Sequence, residues 1–169
     1  IAADGTTLAV GAPNFDGPAG NDTGAVFLYE HDGTAWNPDA TLFGPRPLDG
    51  FGIAVALEGN RLAIGSTFYD EEFERTGGVW TQTAVLASSL PPAMEFGRAL
   101  ALDGDHLLVG APDAPSVVVG AAAVWKLSTT GTWNEDAVFV GADVGPGERF
   151  GVGVAVQGTT AVVGAKGHG

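Results

Sequence analysis

The chain has 169 residues, 45% of them hydrophobic, so it is long enough to bury a sizeable core. Its 27 Gly and 10 Pro leave little room for long helices and favour an all-β fold. A net charge of -13 with only seven Lys and Arg argues against nucleic acid as a partner. The chain has no cysteine, which excludes a disulfide framework, and no apolar run of about 18 residues, so no membrane insertion is expected.

The first predicted elements are two short strands joined by a tight turn. The turn Asp4-Gly5-Thr6 contains a Gly that accepts positive φ, and a strand is predicted at residues 7 to 11. A loop, PNFDGPAGNDTG, precedes a third strand at 25 to 30, a turn at Asp32-Gly33 and a fourth strand ending near Leu42. Four short antiparallel strands in about 50 residues are typical of one β-propeller blade.

The same frame returns three times along the chain. It appears as FGIAVALEGNRLAIGS from Phe51, FGRALALDGDHLLVGAP from Phe96 and FGVGVAVQGTTAVVGAK from Phe150. First strands are predicted at 51 to 57, 96 to 102 and 150 to 156, and second strands at 61 to 65, 106 to 110 and 160 to 164. We therefore predict one partial propeller, residues 1–169, with blade portions 1–43, 51–87, 96–141 and 150–169.

Two details of the repeat carry further predictions. The Phe of each Phe-Gly pair, Phe51, Phe96 and Phe150, is expected to lie buried between neighbouring sheets, while the Gly lets the backbone bend. The second unit is shorter, since GAVFLYEHDGTAW in the first unit corresponds to GGVW in the second. We interpret this as a lost hairpin tip, which leaves STFYDEEFERTGG as the loop between the second and third strands.

The repeated residues resemble a known family. Phe-Gly, a strand, a hairpin and then (V/I)GAP resemble the FG-GAP repeat of integrin α-subunit propellers and of many bacterial extracellular proteins. Phe96-Gly97 with Val109-Gly110-Ala111-Pro112 is the clearest copy, and Val10-Gly11-Ala12-Pro13 is the next. The resemblance implies about three blades of a larger propeller, with six or seven blades in all, in an extracellular or cell-surface protein.

The resemblance also implies calcium, but the residues do not support it. Integrin-like members often hold the ion in a loop D-x-D-x-D-G-x-x-D between the first and second strands, where a hard cation finds about six to eight oxygens. Here these turns are only a few residues long, and Asp103 with Asp105 would supply two carboxylates. We predict no cofactor and no metal site; if calcium binds, the segments Asp16 to Asp22 and Asp70 to Glu74 are its expected places.

Nothing in the sequence indicates catalysis. The chain has no G-x-S-x-G elbow, no H-E-x-x-H helix and no phosphate-binding loop, so it is expected not to be an enzyme and no catalytic residue is assigned. Loops between second and third strands share one rim with the blade connectors, and function usually lies on such longer loops. The candidate ligand-binding residues on this rim are Phe68, Tyr69, Asp70, Glu71, Glu72, Phe73, Asp16, Asp22 and Asp113.

Three classes of function stay open at this point. The first is an extracellular binding, adhesion or protein-interaction module with a protein or carbohydrate ligand, on which the aromatic residues stack unless they pack under their own loop. The second is a structural, self-assembling protein of a filament or surface layer, because both chain ends cut through a repeat. The third is an accessory propeller of a secreted hydrolase. The open sides would pair with the rest of the same propeller or with further copies of the chain.

Overall fold

A computed structural model describes residues 1–67, 69–89, 95–112, 120–144 and 147–167 of the chain. These residues form fourteen β-strands and no helix. The predicted all-β class is therefore confirmed. Across the same described ranges, the chain contains no helix with the length and apolarity needed to cross a membrane.

The strands form three four-stranded sheets and one hairpin, each a simple antiparallel meander in chain order. The first sheet contains β1 (Ala2–Asp4), β2 (Thr7–Ala12), β3 (Ala25–His31) and β4 (Trp36–Phe43). The second contains β5 (Ala54–Glu58), β6 (Arg61–Gly65), β7 (Asp70–Thr76) and β8 (Val79–Leu86). The third contains β9 (Ala99–Asp103), β10 (His106–Ala111), β11 (Ala121–Leu127) and β12 (Trp133–Phe139), and the hairpin contains β13 (Gly153–Gln157) and β14 (Thr160–Gly164).

The sheets stack face to face in the manner of propeller blades. The first strands β1, β5, β9 and β13 are neighbours in that order, so they line one side of the stack. The second strands β6 and β10 are buried on both faces, as Leu62, Ala63 and Ile64 of β6 show with no exposed surface. This explains why the sequence there is a continuous apolar run rather than an alternating one.

Each Phe-Gly pair forms a turn that leads into the first strand. The amide of Ile53 donates to the carbonyl of Gly50 at 3.1 Å, and Gly52 between them has a φ of 90°. This is the arrangement of a type II turn, which requires positive φ at its third residue and so favours Gly. The first strands consequently begin at Ala54, Ala99 and Gly153, three residues later than predicted.

Two glycines set the spacing between neighbouring sheets. A Cβ built on Gly110 of β10 would lie 2.0 Å from the carbonyl oxygen of Gly151, in the next Phe-Gly turn. Gly11 and Gly65 stand in the same relation to Gly52 and Gly97. The Gly that ends each second strand thus contacts the backbone of the Gly in the next Phe-Gly pair, and a side chain on the strand Gly would block this contact.

The repeated phenylalanines fill the space beside this contact. Phe51 is fully buried and Phe96 is 3% exposed, as predicted. Phe150 is only partly buried, because the β13–β14 hairpin covers less of it than a four-stranded sheet would. The burial predicted for Phe150 is therefore only partly met.

The short unit differs from the prediction in where it is shortened. Four residues separate His31 from its partner Trp36 in the first sheet, and four separate Arg75 from its partner Trp80 in the second. The connection from second to third strand, however, falls from residues 13–24 in the first unit to residues 66–69 in the second. The predicted loss of a hairpin tip is wrong, and Asp70 to Thr76 form strand β7 rather than a loop.

Candidate functional site

Several of the predicted ligand-binding residues lie in strand β7 and not on the rim. Asp70 has no exposed surface, Glu72 is 4% exposed and Phe73 is 8% exposed. Their predicted place on an exposed loop is wrong, because the run of charges concealed a strand that pairs with both β6 and β8. Glu71 also belongs to β7, and Phe68 and Asp113 lie outside the described residues.

Phe73 has a packing role. Its ring meets that of Phe51 edge to face, with ring centroids 6.2 Å apart, in the core between the first and second sheets. Tyr69 stays on the rim, partly buried, and the guanidinium carbon of Arg46 lies 4.6 Å from its ring centroid. One face of the Tyr69 ring is therefore occupied by a cation from the same chain.

Asp16 and Asp22 lie together in the loop of residues 13–24. The Asp16 carboxylate accepts a hydrogen bond from the amide of Asp22 at 2.9 Å, so it serves to hold the loop. Phe15 packs edge to face against Phe27 beneath the same loop. Asp22 lines a cleft on this rim.

The cleft has a volume of about 650 Å³ and lies where the longer loops and the blade connectors meet. It combines a carboxylate, a guanidinium, an amide, a hydroxyl and apolar side chains from three repeats of the chain. Its lining residues are Pro13, Asn14, Asp22, Leu48, Gly50, Ile53, Thr67 and Arg98. Of these, only Asp22 was among the residues predicted from the sequence.

The connector before Phe51 is fixed firmly against the loop that contains Asp22. The amide of Leu48 donates to the carbonyl of Asn21 at 3.1 Å, and that of Gly50 donates to the carbonyl of Asp22 at 3.3 Å. The carbonyl of Asp49 accepts from the amide of Thr67 at 2.7 Å, which ties the connector to the second sheet as well. Backbone hydrogen bonds on both sides therefore hold the connector that forms this wall of the cleft.

The Asp49 side chain lies under this wall. It is 1% exposed, and Arg46 Nε is 3.8 Å from its Oδ2. Burial raises the pKa of Asp49, and the charge of Arg46 and the Ser66 hydroxyl offset this only in part. Because the Asp49 carboxyl group is buried beneath the wall, it is not exposed to a ligand in the cleft.

Two residues of the cleft have left-handed backbone conformations that are rare outside glycine. Asp22 has a φ of 48° and Leu48 a φ of 59°. Leu48 is also 67% exposed, so its side chain projects at the mouth of the cleft instead of packing. Arg98, on the other side, pairs with Glu95 at 3.2 Å and is 44% exposed. Strained backbone held in place by surrounding contacts is common where a protein binds a ligand.

The opposite rim uses its acidic residues to join the sheets. Asp4 accepts from the amide of Gly59 at 2.6 Å, Glu58 from that of Gly104 at 2.8 Å, and Asp103 from that of Gly158 at 2.5 Å. Each tight turn therefore bonds to the turn of the next sheet through one carboxylate. Asp105, the other acid considered for calcium, pairs with His106 at 2.8 Å.

The described residues offer no group of three or more His, Asp or Glu side chains that would hold a metal ion. What the cleft offers is a set of polar contacts and one projecting apolar side chain.

Part of the chain matches a known protein family. Residues 133–169 match the family model described as FG-GAP repeat, which covers β12, the third Phe-Gly turn and the β13–β14 hairpin. No curated protein matches the chain.

Proposed function

We propose that this chain, which carries an FG-GAP repeat, is an extracellular binding module that holds a protein or carbohydrate ligand in the cleft between its first repeats. At the coarser level, the repeat and the blade-like sheets indicate a β-propeller module of the kind used in protein interaction. The extracellular or cell-surface location follows from the resemblance and forms part of the proposal.

One observation carries the proposal: a rigid cleft whose mouth has an exposed Leu48 in a left-handed conformation. An exposed apolar side chain surrounded by polar groups gains contact area when a partner covers it. The rigid connector keeps that side chain in place before binding, which reduces the entropy lost on association. Asp22 and the exposed part of Arg98, which line the cleft, would orient the ligand.

Two substitutions test the cleft. Leu48→Gly removes the projecting side chain, and Gly accepts the left-handed φ, so the fold is expected to tolerate it. Arg98→Ala removes the guanidinium. Both variants should bind about tenfold or more weakly than the parent chain to whichever partner is found on arrays of glycans and secreted proteins.

Val79→Ala provides a matched control, because Val79 is 64% exposed on β8, away from the cleft. It should bind like the parent chain. Equal binding by all four proteins would place the ligand elsewhere, and turnover of an array glycan would contradict the non-catalytic role.

A further inference from the structure

Strand β7 differs from the third strands of the other two sheets at two equivalent positions. Asp70 pairs with Gly65, in the place where the first and third sheets have apolar residues, Val26 opposite Gly11 and Ala122 opposite Gly110. Glu72 pairs with Ala63, in the place of Leu28 and Val124. Both acids are buried, with exposures of 0% and 4%. β7 therefore places two carboxyl groups on the face that packs against the third sheet.

Glu72 joins the two sheets directly. Its Oε2 accepts a hydrogen bond from the indole Nε1 of Trp133 on β12, and another from the Thr83 hydroxyl at 3.2 Å. Its Oε1 is buried and has no hydrogen-bond partner among the described residues. An ionised carboxylate would be poorly satisfied here, since one of its two oxygens has lost water without gaining a donor.

Asp70 lies two residues earlier on the same face of β7, close to the Phe96-Gly97 turn. A Cβ built on Gly97 would meet the Oδ1 of Asp70, so this carboxyl lies against the backbone contact that sets the sheet spacing. β7 therefore carries two acidic side chains on one buried face.

The charged groups around Glu72 do not neutralise it. Burial raises the pKa of Glu72; hydrogen bonds from Trp133 and Thr83 and the charge of Arg61 on β6 act against this, while Glu74 on β7 adds to it. On the side of the third sheet, Glu135 of β12 is hydrogen bonded to Ser88 and Ser89. His106 of β10 and Lys126 of β11 are paired with Asp105.

We propose that Glu72, with Asp70 beside it, makes the contact between the second and third sheets a proton-controlled joint, tight when Glu72 is protonated and looser when it ionises. The protonated acid keeps its bond from Trp133 and carries no charge to desolvate. Deprotonation leaves a charge between the sheets with one oxygen unsatisfied. Because an acid with a raised folded pKa stabilises the fold below its unfolded pKa, this stabilisation is lost as the pH rises through the folded pKa.

The pH dependence of thermal unfolding tests the proposal on the full chain. Glu72→Gln keeps the shape of the side chain but cannot ionise. Glu72→Leu introduces the residue type that the first sheet has at the equivalent position, Leu28. Relative to both variants, the melting temperature of the parent chain should fall between pH 4.5 and 8.5, by about 3 to 5 °C for each unit by which the pKa is raised. Asp136→Asn, an exposed acid on β12 that does not contribute to the Glu72 shift, is the control and should follow the parent chain.

A local measurement separates a joint from a general effect on stability. At each pH, amide hydrogen exchange of the parent chain is compared with that of Glu72→Gln. Raising the pH should reduce protection in β7 and β12 of the parent chain, while β2 and β3 stay equally protected in both proteins. Parallel melting profiles for the parent chain and Glu72→Gln would overturn the proposal, as would a loss of protection spread evenly over all sheets.

Discussion

The backbone contact between sheets makes a sharp prediction at Gly110. A Cβ placed there would lie 2.0 Å from the carbonyl oxygen of Gly151 and 3.3 Å from the Cβ of Ala99. The first of these contacts is with the backbone of the next Phe-Gly turn, so no side-chain rotation can relieve it. Gly110→Ala must therefore separate the third sheet from the β13–β14 hairpin.

The size of the effect follows from this rigidity. Overpacking a core commonly costs about 1 to 3 kcal/mol, and a clash between two backbones belongs at the upper end or above it. For a domain of this length, about 3 kcal/mol corresponds to a fall in melting temperature of roughly 6 to 12 °C. Thermal unfolding followed by circular dichroism would measure it.

Gly153→Ala is the matched control. Gly153 lies in β13 with no atom within 4 Å of the Cβ position, so Ala should leave stability unchanged or raise it by about 0.5 kcal/mol. If Gly110→Ala melts at the same temperature as Gly153→Ala, the sheets do not meet through these glycines and the account of the repeat is wrong.

Three further predictions concern the sheet contacts and the acidic turns. Phe96→Ala should lower the free energy of unfolding in urea by about 3 to 5 kcal/mol and Phe150→Ala by only about 1 to 2, since Phe150 is partly exposed; equal losses would contradict this. Arg75→Ala should cost about 1 kcal/mol at neutral pH, because Arg75 lies 2.5 Å from Glu30 and also pairs with Asp39 of the first sheet. Burial would raise the pKa of Glu30, but Thr7 and Arg75 lower it on balance, so this cost should shrink as the pH falls below 4.5; a cost independent of pH would refute the ion pair. Replacing millimolar calcium with chelator should move the melting temperature by less than about 1 °C, because Asp4, Glu58 and Asp103 already accept backbone amides; a large drop would reveal an ion.

Several features of the fold were predictable because they depend on neighbouring residues in the chain. The turn Glu58-Gly59-Asn60 needs only local backbone geometry, and the strands on either side of it are short and apolar; both were found where expected. Because this frame recurs along the chain, the same local inference applied to all four tight turns. The start of each first strand was missed by three residues, since a Phe-Gly turn and a strand start have the same apolar appearance in sequence.

Strand β7 could not be recognised in this way. Its residues DEEFERT read as a solvated loop, because charge normally indicates exposure. Only the stacked sheets show that Phe73 meets Phe51, that Arg75 meets Glu30 and that Glu72 meets Trp133. Each of these partners is distant in sequence, so no local pattern reports it.

The sequence by itself determined the repeat, the β class and the tight turns, since strand pairing within a unit follows from hairpins of a few residues. The tertiary structure alone decided the cleft, because Asp22, Leu48 and Arg98 come from different repeats and meet only when the sheets stack. It also decided the role of the acidic turns, since a carboxylate such as that of Asp103 accepts a hydrogen bond from the amide of Gly158 in the next turn. Contacts between repeats depend on how far apart the sheets lie, and that distance is set by backbone packing at glycines rather than by any residue pattern within one unit.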